Sequence, residues 1–181
     1  MMMIPRMART VLAVLFLLVA MTSLAHADIR RFVGDYAGSA EVQQADGSRF
    51  SRDMSVSIRA NKDGFTVSWS TISYREGDTA KEKAYTIDFV ASDRDGVFAA
   101  AMTRNVFGHV VQMDPMKGEP YVWSRIHDDT LTVYSLFVGP EGGYELQQFD
   151  RTLADGGLML EFKRLRDGEP QRSVSTFLKR Q

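Results

Sequence analysis

The chain has 181 residues, with 22 Lys+Arg against 23 Asp+Glu and a formal net charge of −1 at pH 7. Charges of both signs are mixed along it without a basic block, which argues against nucleic acid or anionic lipid as a partner. Cysteine is absent, so disulfides, thiol catalysis, iron–sulfur clusters and thiolate zinc sites are excluded.

The first residues read as an address. Arg6 and Arg9 precede an unbroken apolar run from Val11 to Ala20, and Ala25-His26-Ala27 fits the small-x-small pattern of signal-peptidase cleavage. The run falls short of the ~20 residues a membrane span needs. No Cys follows it to carry a lipid, and no Arg-Arg pair precedes it, which favours the general secretory route. The expectation is a leader over residues 1–27, cut after Ala27, and a single domain from Asp28 to Gln181. That domain would be periplasmic or secreted, without stable membrane insertion. Losing Arg6 and Arg9 with the leader takes the net charge from −1 to −3. Without disulfides, the stability of such a domain must come from its core and its strand pairing.

The domain opens with Phe32-Val33-Gly34-Asp35-Tyr36-Ala37-Gly38, and the first strand is expected over Val33 to Gln43, its glycines marking a bend or a close backbone approach. Phe50, Met54, Val56, Ile58 and Ala60 then alternate with polar residues. Asn61-Lys62-Asp63-Gly64 supplies a tight turn, and Phe65, Val67 and Trp69 alternate on the way back. This is a long antiparallel hairpin. The apolar parity switches between Trp69 and Ile72, which predicts a bulge. Arg75 to Lys83 reads as a loop and Tyr85, Ile87 and Phe89 as a fourth strand. Asp95-Gly96 turns into an Ala-rich strand from Val97 to Met102. Asn105 to Met113 predicts a sixth strand, and Asp114 to Pro120 a loop. Tyr121 to Ile126, Leu131 to Val138 and Tyr144 to Leu153 follow as strands, with a second bulge expected at Gln147-Gln148. The strand through Leu158, Leu160 and Phe162 and a last one over Arg172 to Lys179 complete the chain.

Ten or eleven short strands with near-regular turns and no helical period make an all-β, antiparallel up-and-down meander. A sheet of that size curls, and closure removes its edges. The predicted fold is a barrel of about 8–11 strands, with a two-sheet sandwich as the alternative. In strand order and length the domain resembles the calycins, which include lipocalins, fatty-acid-binding proteins and avidins. Gly34-Asp35-Tyr36, preceded by Phe32, stands where those families carry Gly-x-Trp on the strand that plugs one barrel end. Tyr replaces Trp here. The resemblance implies a lipocalin-like barrel and, by analogy alone, a ligand-binding role.

Trp69, Tyr85, Trp123, Arg125 and Tyr134 are the candidate lumen residues, an aromatic set with one charge that suits a small, partly apolar ligand. Arg125 shares the parity of Tyr121 and Trp123. On a buried face it would need an acidic partner or ligand, and beside Asp128 and Asp129 at a strand end it reads more simply as solvated. His109 with Met113 and Met116 is too sparse for a copper(I) site, and His127-Asp128-Asp129 reads as a turn. No metal, cofactor or catalytic residue is assigned. The serine-elbow, zinc-protease, phosphate-loop and dinucleotide motifs are all missing.

Three functions remain, in order. The first is an exported, non-enzymatic binding protein holding a small apolar or amphipathic ligand in a barrel lumen. The second is an envelope-associated interaction module with a packed interior. The third is a barrel enzyme of cyclase or isomerase type using His109 or His127.

Overall fold

When alternating strands each pair with their neighbours in sequence, the product is a sheet with one dry face, and closing it buries that face completely. The computed structural model describes residues 28–43, 49–74, 80–104 and 110–181. The leader read from residues 1–27, and His109, lie outside them. A 3-10 turn, Ile29–Phe32, leads into β1 (Gly34–Gln43), β2 (Arg49–Ala60), β3 (Gly64–Tyr74), β4 (Lys81–Ala91) and β5 (Val97–Ala100). Two-residue strands β6 (Thr103–Arg104) and β7 (Val110–Val111) and a second 3-10 turn, Pro115–Lys117, come next. Then follow β8 (Tyr121–His127), β9 (Thr130–Val138), β10 (Tyr144–Ala154), β11 (Gly157–Arg166) and β12 (Glu169–Arg180). Ten strands form a closed antiparallel barrel in the order β1-β12-β11-β10-β9-β8-β5-β4-β3-β2, while β6 and β7 make a separate ribbon. The meander closes as a barrel and not as a sandwich.

One end of the barrel is packed solid. The tight turns after β2, β4, β8 and β10 gather there, and Phe32, Ile58, Phe65, Phe89, Leu158 and Leu178 beneath them have no exposed surface. Phe65 stacks on Phe89 at 5.1 Å and meets Phe98 edge-on at 4.9 Å. Burying such side chains contributes about 1.5–3 kcal/mol each. The 3-10 turn lies across this end, where Arg31 pairs with Asp129 and also donates to the Asp128 carbonyl.

Closure is made by the shortest of the long strands' pairings. β1 and β12 share only the registered pairs Tyr36↔Arg180 and Ala37↔Lys179. Arg180 reinforces this seam, lying 5.0 Å from the Tyr36 ring centroid and donating to the Val33 carbonyl at 2.8 Å and to the Tyr36 hydroxyl at 2.7 Å. The Tyr36 hydroxyl in turn donates to the Phe32 carbonyl at 2.8 Å. Burial pushes the Tyr36 phenol above its ordinary pKa, with the Arg180 charge opposing, so it remains a donor at neutral pH. Gly38 marks the close approach its position suggested, for a Cβ there would run into the Phe177 carbonyl oxygen and lie 3.0 Å from Leu178.

Several local expectations are corrected. Neither predicted bulge exists: β3 pairs without slip from Phe65 to Tyr74 against β2, and β10 from Tyr144 to Thr152 against β9. The polarity inverts instead, because the inner face becomes polar towards the open end (Thr71, Ser73, Gln147) and the apolar Ile72 and Leu146 fall outside. The register does shift between Arg164 and Leu165, where Leu165 faces Pro170, a residue with no N–H to lend to a ladder. β4 begins at Lys81, inside the stretch read as a loop; of the expected sixth strand, residues 105–109 lie outside the described residues, and the described part contributes Val110–Val111, outside the barrel.

Gly38→Ala is expected to strain the seam and cost about 1–3 kcal/mol, lowering the melting temperature by several degrees in a domain of this size. Gly139→Ala, whose Cβ would meet nothing nearer than 3.4 Å, is the control and leaves it nearly unchanged. Thermal denaturation followed by circular dichroism decides it, and equal melting temperatures would refute the close-approach account.

Candidate ligand site in the barrel lumen

Away from the plugged end, large side chains give way to shorter or polar ones and the barrel opens into a cavity of about 640 Å³. That is within the range of roughly 300–1,000 Å³ typical of small-molecule sites. Register determines its lining. Trp69 pairs with Tyr85, Thr71 with Lys83 and Ser73 with Lys81 across β3 and β4, all on the inner face that carries Val67 and Ile87 deeper down. On the opposite wall Phe149 pairs with Phe162, and Phe162 with Val174.

The aromatic residues form a band. Trp69 stacks on Tyr85 at 5.3 Å and 25°, tilts against Phe149 at 5.8 Å, and Phe149 meets Phe162 at 4.8 Å. Tyr85 is 51% exposed although it faces inward. It lies on the half of β4 that β5 does not reach, since β4 and β5 pair only from Phe89 to Ala91.

The charges around the cavity are one-sided. Arg52, Lys81, Lys83, Arg151, Arg164 and Arg172 line it, and among the described residues no acid does. Arg164 is answered by Glu145 just outside, at 2.9 Å, and Arg52 donates to Ser73 at 3.3 Å. Among the described residues, Lys81, Lys83 and Arg172 have no carboxylate partner.

Arg151 is the exceptional member. It faces inward on β10 between Phe149 and Leu153, is 1% exposed, and its Nε and one terminal nitrogen have no hydrogen-bond partner. Its guanidinium carbon lies 5.8 Å from the ring centroids of both Trp69 and Phe149, a cation–π arrangement that replaces part of its lost hydration. The neighbouring Asp150 faces the other side of the sheet. There it accepts from Thr132 at 2.7 Å and Gln148 at 2.7 Å, with Lys163 at 3.7 Å. Burial pushes Arg151 down to about 10, with Asp150's charge resisting, so the side chain is a cation at neutral pH.

Of the five lumen residues named from sequence, the structure brings Trp69 and Tyr85 together in the cavity wall. Trp123 and Tyr134 stack on each other at 4.8 Å with Tyr121 alongside at 5.8 Å, but on the outer surface of β8 and β9. Arg125 shares that outer face and is exposed. β8 turns Val122, Ser124 and Ile126 inward, so its two faces are nearly equal in apolar character and alternation does not tell them apart. His127 is exposed in the hairpin at the plugged end, 3.5 Å from Asp128 and away from the cavity. Among the described residues no cluster of three or more His, Cys, Asp or Glu could hold a metal. Sequence reasoning missed Arg151, Phe149 and Phe162. The available signal was the parity Phe149, Arg151, Leu153, a lone charge inside an apolar row. No family model, curated protein or solved structure matches this chain.

A buried cation lacking full hydrogen bonding costs stability that an apolar residue of similar volume would not. Arg151→Met is therefore expected to raise the melting temperature of the ligand-free protein, by roughly 3–10 °C for a gain of about 1–3 kcal/mol. Calorimetry measures it, and a fall would mean that the two rings hold the guanidinium at no net cost.

Proposed function

We propose that the protein is an exported, non-enzymatic carrier that holds a small amphipathic molecule in its barrel lumen. The observation that carries this reading is the cavity itself, half-open and walled by Trp69, Tyr85, Phe149 and Phe162 above a fully packed floor. A domain selected only for stability would extend that packing upward, since an unfilled, aromatic-lined void forfeits contacts that an apolar filling would supply. Support also comes from the plug at the opposite end. Gly34-Asp35-Tyr36 sits under a 3-10 turn at the closed end of an up-and-down barrel, and in the calycins the corresponding Gly-x-Trp lies on the strand that plugs one end. Export rests on the leader pattern of residues 1–27.

The two tryptophans offer a clean test. A neutral naphthylamine probe is expected to quench intrinsic fluorescence through Trp69 in the lumen and not through Trp123 outside. Quenching should persist in Trp123→Phe and vanish in Trp69→Phe. Native mass spectrometry of protein recovered from its own cell should show an organic-extractable mass. An empty protein with equal quenching in both variants would end the carrier reading.

A further inference from the structure

We infer that the molecule held in the lumen is an elongated organic dianion, with one acidic group on Arg151 at depth and a second among Lys81, Lys83 and Arg172 at the mouth. This rests on the carrier reading and names the chemistry of its ligand. The first acidic group follows from Arg151. Its side chain is almost completely buried, lines the cavity, and leaves Nε and a terminal nitrogen without an acceptor. Those donors form part of a planar fork that matches a carboxylate or another oxyanion, and charge-assisted bonds of this kind are the strong ones. The one acid adjacent in sequence, Asp150, is engaged on the outer face by Thr132 and Gln148. An apolar ligand would leave the guanidinium as underbonded as it was before, and a ligand cation would be repelled.

The second acidic group follows from the mouth. Among the described residues, three cations without a carboxylate partner face a cavity that no acid lines, on a chain whose overall charge is slightly negative. Between floor and mouth runs the aromatic band, which suits an uncharged middle. Its length can be read from the register. The guanidinium lies against Trp69, and Lys81 pairs with Ser73, four residues further along β3. At about 3.3 Å per residue the two charged levels are roughly 13 Å apart. The buried head contributes most of the affinity, because it acts in a low dielectric. The outer group, facing solvated lysines, contributes less and is screened by salt.

Isothermal titration of the purified protein with dodecanedioate, dodecanoate and dodecanol tests both halves. The expected order is diacid over monoacid over alcohol. The monoacid should exceed the alcohol by at least about tenfold, and the diacid should exceed the monoacid by about three- to tenfold at low salt, an advantage that fades in 1 M NaCl. Arg151→Met should bring the monoacid to the level of dodecanol and leave the diacid only the smaller, salt-sensitive advantage of the mouth cations, while Arg151→Lys retains part of the preference. Lys81→Gln with Lys83→Gln should bring the diacid down towards the monoacid without changing the monoacid. If dodecanol binds as tightly as dodecanoate, the carrier reading stands and the acid inference falls. If the diacid gains nothing over the monoacid, the second charge is refuted. If none of the three binds, the carrier reading fails and takes this inference with it. The wild-type ranking alone decides the matter should a variant fail to fold.

Discussion

Everything in this barrel depends on the seam between its first and last strands. Two registered pairs are few to hold a ten-stranded cylinder shut, and Arg180 makes up for that with three contacts to two residues. It donates to the Val33 carbonyl at the end of the 3-10 turn, donates to the Tyr36 hydroxyl, and lies over the Tyr36 ring. A partly buried guanidinium with charge-assisted bonds and a cation–π contact is a stronger tie than the same pair in water. Since Tyr36 also donates to Phe32, the tie that closes the wall is the one that fastens the plug. An open sheet would expose two edges and lose its interior, so both the cavity and the core follow from this closure.

Because the plug fixes which end is closed, the interior divides into two regimes. Below, side chains reach native packing with no exposed surface. Above, the same strands carry Thr71, Ser73, Gln147 and cations on the inward parity, and packing is given up for a cavity. Arg151 sits at the boundary, with its charged end in a place where an aliphatic residue would be more stable. Sites at which a stability rule is broken without full local compensation are where function is expected to reside. The cation–π contacts from Trp69 and Phe149 offset part of the cost. They also position both rings, so one interaction orders the charged and the apolar halves of the site.

Architecture was legible because the hairpin from Phe50 to Trp69 alternates cleanly, and Asp-Gly and Gly-Gly pairs punctuate the rest of the chain. What escaped was the point at which alternation stops meaning inside and outside. Near the mouth the inner face is wet, so Ile72 and Leu146 looked like slips of register when they had only changed regime. β8 presented the converse problem, for Val122 and Ile126 are as apolar as Tyr121 and Trp123 are aromatic, and size alone suggested the wrong face. Trp69 and Tyr85 were legible as a site pair because they continue the parity of Phe65 and Phe89 out of the core. Arg151 was not, since a charged residue in a strand is ordinarily solvated, and only the three-dimensional neighbours show that this one is buried.

The mouth half of β4 shows how one short stretch satisfies two demands. From Lys81 to Ile87 it pairs with β3, but among the described residues no strand pairs with it on the other side, since β5 reaches only Phe89 to Ala91. An unpaired edge invites association with other chains, and natural sheets guard such edges with charge, lysine above all. Lys81 and Lys83 provide that guard while their inward parity adds positive potential to the cavity, and Glu82 between them faces out and keeps the strand from becoming a wholly basic patch. Apolar residues here would fill the mouth but leave a sticky edge. Acidic residues would guard the edge but cancel the field that Arg151 sets up below. Among charged residues, lysine on this parity meets both conditions, which makes a wet, basic opening at this end of the barrel a consequence of how the wall is built.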